Sequence, residues 1–210
     1  DRSYVLYMLT QEQLAHVKLP LGGLRKDQVR VIAEEHGFIN ARKHDSQDIC
    51  FVPDGDYAKF IEKYTGKKTP EGDFVDKEGN YIGRHKGIIH YTIGQRRGLG
   101  IPAASRLYVC EISPKTNTVV LGDNADLFSS ELEADSVNLI SVDNLSKPKR
   151  VTAKIRYRHK EQPATAWQTP DGILHVKFDE PQRAITKGQA VVMYDGDEVV
   201  GGGVINKIYS

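Results

Sequence analysis

Beyond residue 70 the chain is written in short apolar runs, at 107–112, 118–121, 137–142, 151–157, 173–178, 190–194 and 198–205, with Gly, Pro, Asn and Asp between them. Such runs are too short for an amphipathic helix to bury a stripe, but long enough for a strand to cross a small sheet. At this spacing they predict a sandwich or a barrel. Whatever else the chain does, its second half has to close or stack a sheet.

The first 70 residues carry a different signal. Residues 11–19 form a short helical candidate closed by Pro20 and the Gly22-Gly23 pair. Residues 26–36 place Val29, Ile32 and Ala33 on one face and stop at Gly37, where a glycine takes the left-handed conformation of a helix end. Residues 54–64 start at Asp54 as a cap and set Tyr57, Phe60, Ile61 and Tyr64 at helical spacing, with Gly66 beyond. Glu71-Gly72-Asp73 and Lys77-Glu78-Gly79-Asn80 read as turns. The expected fold is α+β: a small helical or mixed domain over 1–104, then an all-β barrel over 105–210.

Charge is arranged in blocks. The total is only +1, from 29 Lys and Arg against 28 Asp and Glu. Between Arg84 and Cys110 there is no acid, but Arg84, Lys86, Arg96, Arg97 and Arg106 are present. Residues 145–160 again lack acids and hold seven positive charges, Lys147, Lys149, Arg150, Lys154, Arg156, Arg158 and Lys160. Residues 116–146 lack Lys and Arg and carry six acids. Opposite blocks cancel in the sum and still present separate faces, so a phosphate-binding surface is compatible with the total. Basic strands that merely point their charges at solvent would look the same. With 39% hydrophobic and 27% charged residues the chain is no disordered or collagen-like sequence. No apolar run approaches the ~18 residues of a membrane helix, and no membrane partner is expected.

Cys50 and Cys110 cannot build a disulfide framework, and without a signal peptide the expected setting is a reducing cytoplasm. The start, Asp1-Arg2-Ser3-Tyr4, runs without a Met straight into an apolar stretch and reads as a piece of a longer protein. Cys50, between Ile49 and Phe51, is either a small buried hydrophobe or a reactive thiol whose thiolate the nearby Lys43 and His44 favour. Cys110 shares strand parity with Tyr108 and Ile112 and reads as core. Residues 83–100 combine glycines with Arg96, Arg97 and Gln95: either a surface where a partner approaches the backbone or a connection between domains. No Gly-Lys-Ser/Thr follows, so it is not a Walker loop, and His85 with His90 lacks the further ligands of a zinc site. Arg156-Tyr157-Arg158 offers a guanidinium for phosphate and a ring for a base, or else an exposed barrel edge.

Three motifs in order, Asp45-Ser46-Gln47-Asp48-Ile49-Cys50-Phe51, Gly83-x-His85-x-Gly87 and Tyr91-Thr92-Ile93-Gly94-Gln95-Arg96-x-Gly98-Leu99, resemble the tRNA-specific 2-thiouridylase family. Lys187-Gly188-Gln189 and Gly201-Gly202-Gly203-Val204-Ile205 agree, as do Pro20-Leu21-Gly22 and Val29-Arg30-x-Ile32-Ala33. The resemblance implies that ATP adenylates the oxygen of the wobble uridine of tRNA and that a cysteine persulfide then delivers sulfur to C2. It makes Cys50 the persulfide cysteine, able to pair transiently with a first catalytic cysteine that this sequence does not contain. It makes Arg156, Tyr157 and Gln189 tRNA contacts, with Asp1 and Arg2 standing at the end of a further contact motif in which Arg2 replaces a Gln.

On this resemblance the chain is the C-terminal portion of the enzyme, inactive alone. ATP is held by an absent N-terminal domain, and the loop 41–55 would pack on that domain. A separate protein donates the sulfur, no metal site is expected, and the expected state is a monomer. The competing reading is a stand-alone RNA-binding β-barrel without catalysis.

Overall fold

The structure, a computed structural model, describes residues 3–43, 52, 55–102 and 105–209. The chain divides into two compact units, residues 12–67 and residues 1–11 together with 68–210. Among the described residues no helix is long and apolar enough to cross a membrane.

The smaller unit is helical. Helix α1 (Ser3–Leu6) belongs to the larger unit, and α2 (Gln11–His16) begins at the boundary. Helix α2 stops three residues short of the expected end. Helix α3 (Lys26–Glu35) ends as expected: Gly37 has φ 69°, Phe38 N–H donates to Ala33 O and Gly37 N–H to Glu34 O. This is the paired closure that uses a left-handed residue to satisfy the last carbonyls. Helix α4 (Tyr57–Thr65) is capped by Asp56, whose carboxylate accepts from Lys59 N–H at 3.0 Å. The cap expected at Asp54 lies outside the described residues. Val31, Ile32, Phe38 and Ile39 are exposed.

In the larger unit, β1 (Gly72–Val75), β2 (Tyr81–His85), β3 (Tyr108–Ser113) and β4 (Thr118–Gly122) form a sheet in the order β2-β1-β4-β3. Its one parallel pair is β1 with β4. Phe74, Val109, Val119 and Leu121 are buried on it, and Tyr91 and Leu99 cover them. Strands β5 (Phe128–Leu139), β6 (Lys149–Lys154), β7 (Gln162–Gln168), β8 (Leu174–Arg183), β9 (Ala190–Asp195) and β10 (Glu198–Tyr209) close a barrel in the order β10-β5-β8-β7-β6-β9. The inward positions alternate small with large, Ala134, Ala153, Ala164 and Ala166 beside Leu132, Leu174, Phe178 and Met193, all buried. Small residues let opposite walls of a narrow barrel meet without a void. The fold is thus the expected α+β arrangement with a closing barrel.

Several elements differ from the sequence reading. β1, β2 and β7 were not signalled. Gly72, read as part of a turn, sits in β1, where a Cβ would lie 2.1 Å from Asn117 O. The inward residues of β7 are Ala164 and Ala166, too small to register as an apolar run. β5 begins at Phe128, well before the expected 137, because its first half alternates Leu132 and Ala134 with outward Glu131 and Glu133. The 151–157 run ends as a strand at Lys154, leaving Arg156 and Tyr157 in the turn beyond it. Cys110 is not core: the β3–β4 register shifts between Val109 and Glu111, so Val109 fills the buried position and Cys110 is half-buried facing Asp126.

Candidate nucleic-acid interface

The turn after β6 is the exposed end of the second basic block. Three of its neighbours in that block are answered by carboxylates: Lys149 pairs with Asp195 at 2.6 Å and Arg150 grips Asp179 through two nitrogens at 2.7 and 2.6 Å. Lys154 lies 3.6 Å from Glu161 and over the Tyr194 ring. Arg156 differs. Its Nη1 donates to the Arg183 carbonyl at 3.2 Å, and no described carboxylate pairs with it. A guanidinium held by a neutral carbonyl keeps its full charge and several free donors for a phosphate.

Tyr157 is 49% exposed, its ring edge-on to Tyr4 at 6.1 Å. Tyr4 is buried and donates its hydroxyl to Ala190 O at 2.7 Å; its phenol is pushed up to about 12, by burial first and then by Tyr7 and Tyr194. It is a neutral post on which Tyr157 stands. Ala190 follows Gln189, whose own carbonyl accepts from Ile205 N–H and leaves its side chain exposed. The chain Tyr157–Tyr4–Ala190–Gln189 therefore brings the three described candidates, Arg156, Tyr157 and Gln189, to one end of the barrel. Cys50, Asp1 and Arg2 lie outside the described residues.

His159 closes the turn, its N–H bonded to Arg156 O at 3.0 Å. Its Nδ1 is buried without a partner, and burial, then Arg156, hold the imidazole below its ordinary 6.5, against a hydrogen bond with Gln182. The unfolded chain therefore binds the proton more readily between that lowered value and 6.5, so stability rises with pH through this window. Between pH 7.5 and 5.5 the urea midpoint of the wild type is expected to fall further than that of His159→Gln. Parallel declines would show that the ring is not the group responsible.

The glycine-rich stretch holds structure as well as charge. His85 is buried in contact with Phe74 and Tyr91; its Nδ1 accepts from Gly87 N–H at 3.1 Å, which places the proton on Nε2, 3.1 Å from Asn117 O. Gln95, read as a possible base or phosphate contact, is spent on its own loop: Oε1 accepts from Thr92 N–H and Nε2 donates to Arg97 O. Arg183 was missed. Its guanidinium reaches Gly94 O at 3.5 Å and Asn124 Oδ1 at 3.2 Å and lies over the Tyr108 ring. A single arginine following Asp179 and Glu180 leaves no basic run to notice. Among the described residues no cluster of three His, Cys, Asp or Glu could hold a metal ion.

Three domain models match in succession: the tRNA methyl transferase HUP domain over residues 1–54, the tRNA methyl transferase PRC-barrel domain over 58–123 and the aminomethyltransferase beta-barrel domain over 129–205. That order of domains, ending in the barrel described above, defines the class. The tRNA-specific 2-thiouridylase MnmA of Clostridioides difficile is 56% identical over 99% of this chain, and that of Acetivibrio thermocellus 55% identical over 98%. The chain belongs to the tRNA-specific 2-thiouridylase family. It spans 57% of the length of each of these two relatives.

Proposed function

We propose that this chain is the RNA-binding and sulfur-carrying part of a cytoplasmic, monomeric tRNA-uridine 2-sulfurtransferase. The observation that carries the reading is the end of the barrel where Arg156 keeps an uncompensated charge beside the exposed ring of Tyr157, in a chain whose relatives are named for tRNA thiolation. Arg156 clamps a backbone phosphate, Tyr157 stacks on a base or sugar, and Gln189 hydrogen-bonds beside them, with Asp1 and Arg2 extending the contact. The helical unit and the four-stranded sheet supply the remaining RNA contacts and the cysteine loop, and the strands from Phe128 onward form the barrel.

Cys50 carries the sulfane sulfur received from a separate donor protein. As a persulfide its outer sulfur attacks C2 of the uridine and expels the activated oxygen; a second cysteine then frees the thiocarbonyl and forms a transient disulfide with Cys50. ATP, as co-substrate, supplies the activation. At the glycine pair before α3 no phosphate cradle is left open: Arg25 is already paired with Asp27 at 3.3 Å and its N–H is bonded to Gln28 Oε1. ATP is assigned to the part of the relatives' length that this chain does not span. The exposed Val31, Ile32, Phe38 and Ile39, close in sequence to the cysteine loop, support a covering domain there. On this reading the chain alone binds tRNA and does not thiolate it.

The test is binding of a tRNA transcript by the chain across a salt series. Arg156→Ala is expected to weaken binding about 10-fold, the size of one lost charge-assisted contact, and to reduce the slope of log affinity against log salt by about 1. An unchanged affinity and slope would remove this end of the barrel from the interface.

A further inference from the structure

The acid-free stretch from Arg84 to Cys110 contains three arginines, Arg96, Arg97 and Arg106, that make no ion pair among the described residues. Two of them, Arg96 and Arg106, line one open hollow of about 310 Å³ together with Ser105 and the backbone of Gly98 and Gly100. One wall of the hollow is a loop that is tied down at several points. Gly94 N–H donates to Val109 O and Val109 N–H to Gln95 O, which pins the loop to β3. The Gln95 side chain closes the turn from Thr92 to Arg97, and Leu99 is buried in the core of the sheet. Gly94, Gly98 and Gly100 take φ values of 84°, 77° and 71°, a region where a side chain would be strained. The Arg96 guanidinium is thus presented by a preorganised backbone, which lowers the ordering cost of binding an anion, and Arg106 lines the same hollow.

The loop that carries Arg96 is bonded to the barrel end. Arg156 donates to the carbonyl of Arg183, and the Arg183 guanidinium reaches the carbonyl of Gly94, the residue that opens the loop. Among the described residues Arg183 meets neutral acceptors and the face of Tyr108 and makes no ion pair. Arg156, Arg183 and the loop that carries Arg96 are thus linked by hydrogen bonds from barrel to sheet. Among the described residues that line the hollow there is no aromatic ring to stack on a base.

We infer that the Arg96–Arg106 hollow is a phosphate subsite that holds the backbone of the same RNA strand gripped at Arg156 and Tyr157, without reading its sequence. The inference rests on the tRNA-binding reading above. Bidentate Arg–phosphate bonds position the strand, and Arg183 bridges the two sites electrostatically.

The experiment compares the wild-type chain, Arg156→Ala, the double variant Arg96→Gln with Arg106→Gln, and the double variant with Lys at both positions, against tRNA transcripts of two different anticodon sequences. The Gln pair is expected to bind about 10-fold more weakly and to reduce the salt slope by about 1, by the same factor for both transcripts. The Lys pair is expected to restore the slope while remaining weaker, because charge is kept and the fork is lost. Should the Gln pair unfold, phenylglyoxal modification of the wild type read by mass spectrometry gives the answer directly: bound tRNA protects Arg96 and Arg106. Wild-type affinity and slope in a folded Gln pair, or no protection, with Arg156→Ala still impaired, would overturn the subsite and leave the tRNA reading standing. Wild-type chain that binds no tRNA would overturn both.

Discussion

Replacing Cys50 by Ser, in the protein carried at the full length of its 2-thiouridylase relatives, is expected to reduce 2-thiouridine in tRNA to background. The chemistry leaves no intermediate outcome. A persulfide needs a thiolate that accepts sulfane sulfur and then presents the outer atom as a nucleophile; a hydroxyl accepts none. The matching control is Cys110→Ser, which is expected to leave thiolation unchanged. Cys110 is half-buried at the bulge of β3, and its thiol is pushed up to about 11, by burial first and then by Asp126, so at neutral pH it stays protonated and inert. Binding of tRNA by Cys50→Ser should match the wild type, which separates loss of sulfur transfer from loss of the substrate. Nucleoside mass spectrometry of tRNA reads the result. Normal 2-thiouridine in the Cys50 variant would end the persulfide assignment. Normal levels in both single variants, lost in the double, would mean that the two thiols substitute for one another.

The barrel was legible where its strands are uniformly apolar. Residues 190–194 and 198–205 announced β9 and β10 because those strands are buried along much of their length. Strands that bury only alanine, as β7 does, or that alternate with glutamate, as β5 does, carry the same backbone hydrogen bonds with little hydrophobic signal. The bulge that turns Cys110 out of the core is invisible to a parity argument, because register is settled by the neighbouring strand. At the candidate site, Arg156 and Tyr157 stood out through the acid-free block that contains them. The same block misled about its other charges: Lys149 and Arg150 are answered by Asp195 and Asp179, far away in sequence. Tyr4 and Arg183 became apparent only once the barrel end had brought them beside Tyr157 and Arg156, since contacts across 153 residues in one case and 27 in the other leave no local pattern.

Gly202→Ala is expected to destabilise the larger unit by about 2–3 kcal/mol, toward the upper end of what overpacking costs, and to lower its melting temperature by about 5–10 °C. A Cβ at this position would lie 2.5 Å from the Val191 carbonyl and 2.7 Å from the Tyr7 ring. One neighbour is the backbone of the paired strand β9 and cannot yield without opening the barrel seam. The other can move, but Tyr7 is buried, and its carbonyl, with that of Leu9, accepts from Asn138 Nδ2 at 2.6 and 3.0 Å. Displacing Tyr7 strains the short helix α1, which carries Tyr4 under Tyr157. The substitution should therefore weaken tRNA binding as well as stability, although Gly202 itself is buried. A double-mutant cycle distinguishes the two clashes. In a Tyr7→Ala background the ring contact is absent and Gly202→Ala should cost less than in the wild type, by the part of the strain that the ring contributed. Equal costs in both backgrounds would place all of the strain on the β9 carbonyl. A Gly202→Ala variant as stable as the wild type would show that the seam between β9 and β10 is looser than its register implies, and the glycine run would then need another explanation.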